Sequence, residues 1–249
     1  MFRFLRPMAV LLAIHAGSAA EEILPAYNSY QSVPFAVGAG GLAIDTVTYV
    51  NAKLKGKYQF KLSQVTRDAL NKTIADPEFK GAVLFLSPFF VDDVGKTKFS
   101  WTAPLMHDSN AVLSLNSRKL EWSSADALAG LKFGAVKGNR YAGLEDRFGK
   151  DIVREDVLEE LSNVKKLAAG KVDLTIMAFS TYRFLQKQMG TQAAANSNIY
   201  LSSKPHLEFE RHVFSARSDS ALAKELNDLV AGMKNDPAWK AILTKYGLD

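Results

Sequence analysis

ALAGLKFGAVKGNRY, residues 127–141, carries the strongest local signal of architecture in this chain. An apolar pair before Gly130, a run at 132–136 of strand character and a Lys137-Gly138-Asn139 corner predict a strand delivering its carboxyl end to the N-terminus of a helix. AAGKVDLTIMA, residues 168–178, echoes it with a second strand. A helix starting at the corner would collect unpaired N–H groups and the positive end of the dipole, and Gly138 would let a ligand approach the backbone. The corner therefore reads either as an anion site or as an ordinary βα turn.

Upstream, AVLFL at 82–86 has the length and character of a buried parallel strand. Before it lie a strand opening at 23–27, a polar and aromatic loop at 27–35, and a glycine cluster at 38–41 that releases a helix through about Leu54. A strand at 58–62 and a helix at 65–75, closed by Asp76-Pro77, follow. After it come a strand at 111–115, a capped short helix at 123–128, a strand edge at 152–156, a helix at 158–168 and a strand at 172–177. A strand at 209–216 and helices at 220–233 and 237–246 close the chain, the last capped by Asp236-Pro237. Strands separated by helices imply right-handed βαβ units, a sheet covered on both faces, and ligands bound beyond the carboxyl ends of the strands.

Ser87, Phe89 and Phe90 follow the 82–86 strand, where a ligand would sit. The two phenylalanines read either as a sandwich for a flat or aliphatic ligand or as core. Asp92-Asp93 reads as a helix N-cap with a first-turn acid or as a cation-binding pair. Gly95-Lys96-Thr97 does not make a phosphate loop, because the glycine needed five residues earlier is Phe90.

With 47% apolar and 23% charged residues, the composition is that of an ordinary globular protein of one large or two modest domains. Residues 1–20 have Arg3 and Arg6, an apolar run at 8–14 and a small-residue end, the build of a secretory signal peptide cleaved after Ala19 or Ala20. Its removal lowers the net charge from +5 to +3, with cations scattered among acids, so no nucleic-acid partner is expected. The absence of cysteine excludes a disulfide framework, thiol chemistry and a lipobox anchor. No metal site and no cofactor is expected.

The chain resembles the family 3 extracellular solute-binding proteins, the polar amino-acid-binding components of bacterial ABC importers. The resemblance is carried by the signal peptide, Val33-Pro34-Phe35 followed by GLAID at 41–45, FSWTAP at 99–104, LAGLKFGAVKG at 128–138, AGKVD at 169–173 and PAWKAILTKYG at 237–247. It implies an α/β protein with the two-lobe periplasmic-binding-protein fold (type II) and a hinge of two crossing strands near 107–115 and 201–212. Lobe one would be 21–107 plus 206–249, and lobe two 108–205. The cleft residues implied are Tyr30, Ser87, Phe89, Phe90, Asp92, Asn139, Arg140, Tyr141 and Ala178.

The family's carboxylate-binding Arg falls near Gly95 of this chain and its ammonium-binding Asp on Ala178, while Asn139 stands where a Thr or Ser is usual. Losing those charge-assisted bonds, worth roughly 1.5 to 3 kcal/mol each, argues against a standard α-amino acid as ligand. Arg140 reads as a substitute anion clamp or as a solvent-facing residue. The expectation is a monomeric periplasmic binder that serves an ABC permease. The alternatives are a ligand-sensing partner of a membrane receptor and a dehydratase-like enzyme. For an enzyme, Asp92, Asp93 and Glu145 are the available acids, with His107, His206 and His212 placed near the hinge strands, and no catalytic constellation forms.

Overall fold

The computed structural model describes residues 21–189 and 198–249, so the expected signal segment lies outside the described residues. Its strands are β1 (Glu22–Asn28), β2 (Tyr58–Gln64), β3 (Ala82–Leu86), β4 (Phe99–Trp101), β5 (Met106–Leu115), β6 (Lys132–Val136), β7 (Val153–Val157), β8 (Leu174–Ala178), β9 (Ile199–Leu201) and β10 (Leu207–Ala216). The helices are α1 (Leu42–Lys53), α2 (Arg67–Ala75), α3 (Glu160–Ala168), α4 (Phe179–Met189), α5 (Ser220–Met233) and α6 (Pro237–Tyr246).

The strands run in the order β2-β1-β3-β10-β5-β8-β6-β7, with β4 beside β10 and β9 beside β5. Parallel pairing joins β1 to β2 and β3 at one end, and β6 to β7 and β8 at the other. Between these half-sheets, β10 pairs through Leu207 to Arg211 with β5 and, from His212 onward, with β3, across a register break between His212 and Phe214, and with β4. β5 likewise leaves β10 at Asn110 to pair with β8. Two antiparallel strands thus cross from one half to the other, at the places the sequence suggested.

Each half-sheet is covered on both faces, as parallel strands require. On β3, Ala82 and Leu84 enter the core beneath α1, α5 and α6, while Val83 joins Leu70, Phe79 and Phe214 on the other face. On β5 and β8, Ala111, Leu113 and Met177 face α3 and α4, whereas Val112, Leu174 and Ile176 pack with Phe133, Tyr141 and Leu144. Gly41 starts α1 at φ 121°, and a Cβ there would lie 2.5 Å from the Phe35 carbonyl oxygen, so no other residue fits.

Three elements escape the sequence reading: β4, β9 and α4. One expected element is absent. No helix follows Gly138; residues 142–147 form successive turns. Gly138, Gly143 and Gly149 hold positive φ values of 84°, 75° and 79°, and each left-handed residue interrupts helical propagation. No helix of the described residues is long and apolar enough to cross a membrane.

Candidate functional site

The two crossing strands meet in a buried ion pair. Asp108 of β5 accepts a 2.6 Å bond from Arg211 Nε of β10, and both side chains are almost fully enclosed. At the start of α4, the Ser180 N–H and hydroxyl donate to the same carboxylate at 3.1 and 2.7 Å. Asp108 therefore caps α4 from across the sheet, taking the favourable place for an anion at a helix N-terminus. Arg211 Nη1 donates to the Phe85 carbonyl at 3.1 Å. Its guanidinium carbon lies 4.5 Å from the Tyr30 ring centroid, 4.6 Å from Phe35 and 4.9 Å from Phe209. Burial opposes the Arg211 charge, and the Tyr30 and Asp108 contacts outweigh it, raising the pKa.

Phe85 holds φ at 63°, unusual for a bulky residue. The reversal breaks the alternation of β3: its ring joins Phe35, centroids 5.1 Å apart, while its carbonyl serves Arg211. Such strain persists only where surroundings over-determine it, and here the caged guanidinium does so.

From this centre the aromatic surface runs outward through residues the sequence had singled out. Phe209 meets Phe90 edge-to-face at 5.0 Å, and Phe90 meets Phe89 at 5.6 Å. Phe89 is 51% exposed. Both belong to a 3-10 turn, Pro88–Val91, fixed by Phe90 N–H to the Ser87 carbonyl and by Arg67 Nη2 to the Phe90 carbonyl. Ser87 is buried at the end of β3, and Asp92 is the exposed left-handed residue ending the turn.

The expected pairing of Asp92 with Asp93, as helix cap or cation site, does not occur. Asp93 is buried and accepts from the backbone N–H groups of Thr97, Lys98 and Phe99 and from Trp101 Nε1 at 2.7 Å. Burial alone would raise its pKa, but these donors, Trp101 foremost, bring it below the ordinary value. Its role is to fold the 93–101 loop.

Across the molecule, the corner after β6 corrects the central expectation: with no helix there, no helix dipole and no row of N–H groups awaits an anion. Tyr141 is not a cleft residue. It is buried in edge-to-face contact with Phe133 at 4.7 Å, and its hydroxyl accepts from Val136 N–H at 3.0 Å. Burial pushes its pKa up to about 12. The Asn139 side chain hydrogen-bonds that hydroxyl, and its carbonyl accepts from Arg154. Arg140 is exposed and, among the described residues, makes no ion pair or side-chain hydrogen bond. Ala178 ends β8 opposite Asn110, two residues before Ser180. The structure thus gathers Tyr30, Phe35 and Phe209 around Arg211, with Phe90 reached through Phe209. No hydrogen bond or ring contact among the described residues joins that group to Asn139 or Arg140.

Sequence reasoning missed Asp108, Ser180 and Arg211. One signal was present: two opposite charges within the two predicted hinge strands, where only paired charges survive burial.

No protein-family model and no curated protein matches the chain. Solved structures do. An ABC-transporter binding component from Wolinella succinogenes complexed with lysine is 14% identical, with a TM-score of 0.68, over 91% of this chain and 96% of that one. The GluR0 ligand-binding core in complex with L-glutamate is 14% identical, with a TM-score of 0.65, over 93% and 100%. The ancestral amino-acid-binding protein AncCDT-1, a precursor of cyclohexadienyl dehydratase, is 14% identical, with a TM-score of 0.63, over 90% and 95%. Spanning nearly the whole of each chain, these likenesses show that this protein has the two-lobe α/β fold of the amino-acid-binding periplasmic proteins, with β5 and β10 as the crossing strands.

Proposed function

We propose that the chain is a solute-binding protein that closes two lobes, 21–107 with 206–249 and 108–205, on a small polar organic ligand other than a standard α-amino acid. The observation that carries this reading is the state of the two charges at the hinge. Arg211 and Asp108 are spent on each other, on Ser180 and on Phe85, and Gly95 and Ala178 offer no side-chain charge in their place. A zwitterion would find no opposed pair to hold it, whereas an apolar body would find Phe89 and Phe90. Hinge closure about a pair of crossing strands is the motion this architecture supports.

Residues 1–20 then serve as an export signal, placing a monomeric mature chain in the periplasm, where an ABC permease takes the ligand-closed form. The three similar structures are named as binding proteins or ligand-binding cores, with one described as the precursor of an enzyme. The test is a thermal-shift screen of the mature chain against small organic acids, amino acids, sugars and polyamines, followed by small-angle scattering with each hit. A ligand that binds only the folded state raises the midpoint. One or more hits that also reduce the radius of gyration are expected; a common amino acid bound below micromolar Kd, or no hit at all, overturns the reading.

A further inference from the structure

We infer that α4 is a strap between the two half-sheets, and that its grip on the end of α6 governs how far they turn about β5 and β10; the inference rests on the solute-binding reading above.

By its chain α4 belongs to one half of the molecule, and by its contacts it belongs to both. It leaves β8 without a loop, and Asp108 of β5 holds its first turn through Ser180. Tyr182 and Leu185 are buried with Ala111, Leu113 and Met177 in a core of the β8 half. Phe184, between them in sequence, lies instead in the core beneath α1, with Leu42, Leu222 and Tyr246. Its ring centroid is 6.1 Å from that of Tyr246 in α6. An amphipathic helix normally buries a single stripe; this one buries two, against different cores.

The face turned to α6 also carries polar contacts. Thr181 Oγ1 donates to the Val33 carbonyl at 2.7 Å. Arg183 Nε donates to the Gly247 carbonyl at 3.1 Å, and Lys187 Nζ to the Thr244 carbonyl. Both of these acceptors lie at the C-terminal end of α6, where the helix dipole favours cations. Arg183 and Lys187 stand four residues apart, so one face of α4 presents them together. Gly247 completes the fit: it ends α6 at φ 71°, and a Cβ there would touch Lys187 Cδ at 3.4 Å and the Arg183 carbonyl oxygen at 3.5 Å.

When the half-sheets turn about the crossing strands, the two faces of α4 cannot both keep their partners. The face joined to β8 by the chain, and to β5 by a charged cap, stays. The face on Val33, Thr244 and Gly247 has to slide or part, so those contacts resist any departure from the arrangement seen here.

The chain has no cysteine, so two introduced thiols can pair only with each other. A Cβ at Gly247 would lie 3.6 Å from Lys187 Cβ, a separation that a disulfide spans. Lys187→Cys with Gly247→Cys, once oxidised, therefore fastens the strap, and Arg183→Ala with Lys187→Ala loosens it. Residual dipolar couplings of the ligand-free mature chain compare the alignment of the β1–β3 half with that of the β6–β8 half. Expected is one common alignment in the oxidised protein, and alignment magnitudes that differ between the halves by about a quarter or more in the loosened one, as for rigid against flexible order. Reductant added to the fastened protein controls for the side chain placed at a left-handed residue, and should bring the difference back. Equal alignment in fastened and loosened proteins, with only the melting midpoints changed, makes α4 ordinary packing and overturns the inference. Small-angle scattering with the hits of the screen above separates the two readings. A hit that contracts the parent should contract the oxidised protein less; if it contracts both equally, only the strap falls. If no compound contracts the parent, the solute-binding reading falls and takes this inference with it.

Discussion

The hinge centre and the corner after β6 both carry an arginine, and they treat it in opposite ways. Arg211 is sealed, with Asp108, the Phe85 carbonyl and three rings around it. Arg140 is exposed and, among the described residues, makes no ion pair. A buried charge is tolerated only when paired, so the first arrangement has to be complete before any ligand arrives. An exposed, unpaired charge costs nothing to keep and is free to respond to a partner. Structure is thus concentrated at the centre, with the corner contributing little to it, and each substitution below tests that division.

The largest effect belongs to Asp108→Ala, which leaves Arg211 buried without its carboxylate and should lower stability by about 3 to 5 kcal/mol. Replacing both members, Asp108→Asn with Arg211→Met, should cost less than the single change. Urea unfolding of the three proteins decides, and equal losses would show that the pair is not coupled. Ser180→Ala removes a hydroxyl from a charged acceptor and should cost about 1.5 to 3 kcal/mol, with weakened amide-exchange protection in the first turn of α4. If protection there is unchanged, Asp108 is not what starts the helix. Tyr141→Phe deletes an acceptor for Val136 N–H and should cost about 1 kcal/mol while leaving ligand affinity intact; a large loss of affinity would return Tyr141 to the cleft.

Smaller again is an acid limb from one half-buried imidazole. His206 Nε2 lies 2.7 Å from the Ala142 carbonyl, joining the hinge strand to the corner, and burial, outweighing that contact, lowers its pKa below 6.5. The folded state then binds fewer protons than the unfolded one, so this contribution is whole above pH 6.5 and is lost as pH falls from there through the lower folded value. Comparing urea midpoints at pH 8 and pH 5 in His206→Gln should show a shallower decline than in the parent; an identical slope would falsify the assignment. Arg140→Ala, last, should change stability by no more than about 0.5 kcal/mol. A greater loss in urea unfolding would mean that the corner is structural after all.

Much of the architecture was legible because it is written locally. The 82–86 and 132–136 strands and the 220–233 and 237–246 helices coincide with β3, β6, α5 and α6, each a clear periodic or apolar run with turn residues at its ends. Asp236 and Pro237 start α6 as expected, with Asp236 accepting from Ala238 N–H at 2.8 Å. What failed depended on distance along the chain. α4 begins without a loop after β8, and its cap comes from Asp108, 72 positions away. No window around Phe179 contains that information. The false helix after Gly138 had the opposite cause: a plausible local start, undone by two further glycines. In the candidate site, Tyr30 and Phe90 were legible as aromatics at strand ends. Arg211, which lies over the Tyr30 ring, was not, since its burial is decided by the crossing of β5 and β10.

The core beneath α1 has a consequence in time. It joins Leu24, Ala26 and Leu42 to Val213, Leu226 and Trp239, and its half-sheet lacks the strand that borders β3 until β10 exists. On a ribosome, which adds roughly 5 to 20 residues per second from the N-terminus, the first apolar residues made are the last to find shelter. Strands β5, β6, β7 and β8 with α3 and α4 are contiguous and can assemble sooner. The nascent chain therefore carries an unsatisfied, threadable leading half for almost the whole of its synthesis, and only the final two helices commit it to a shape.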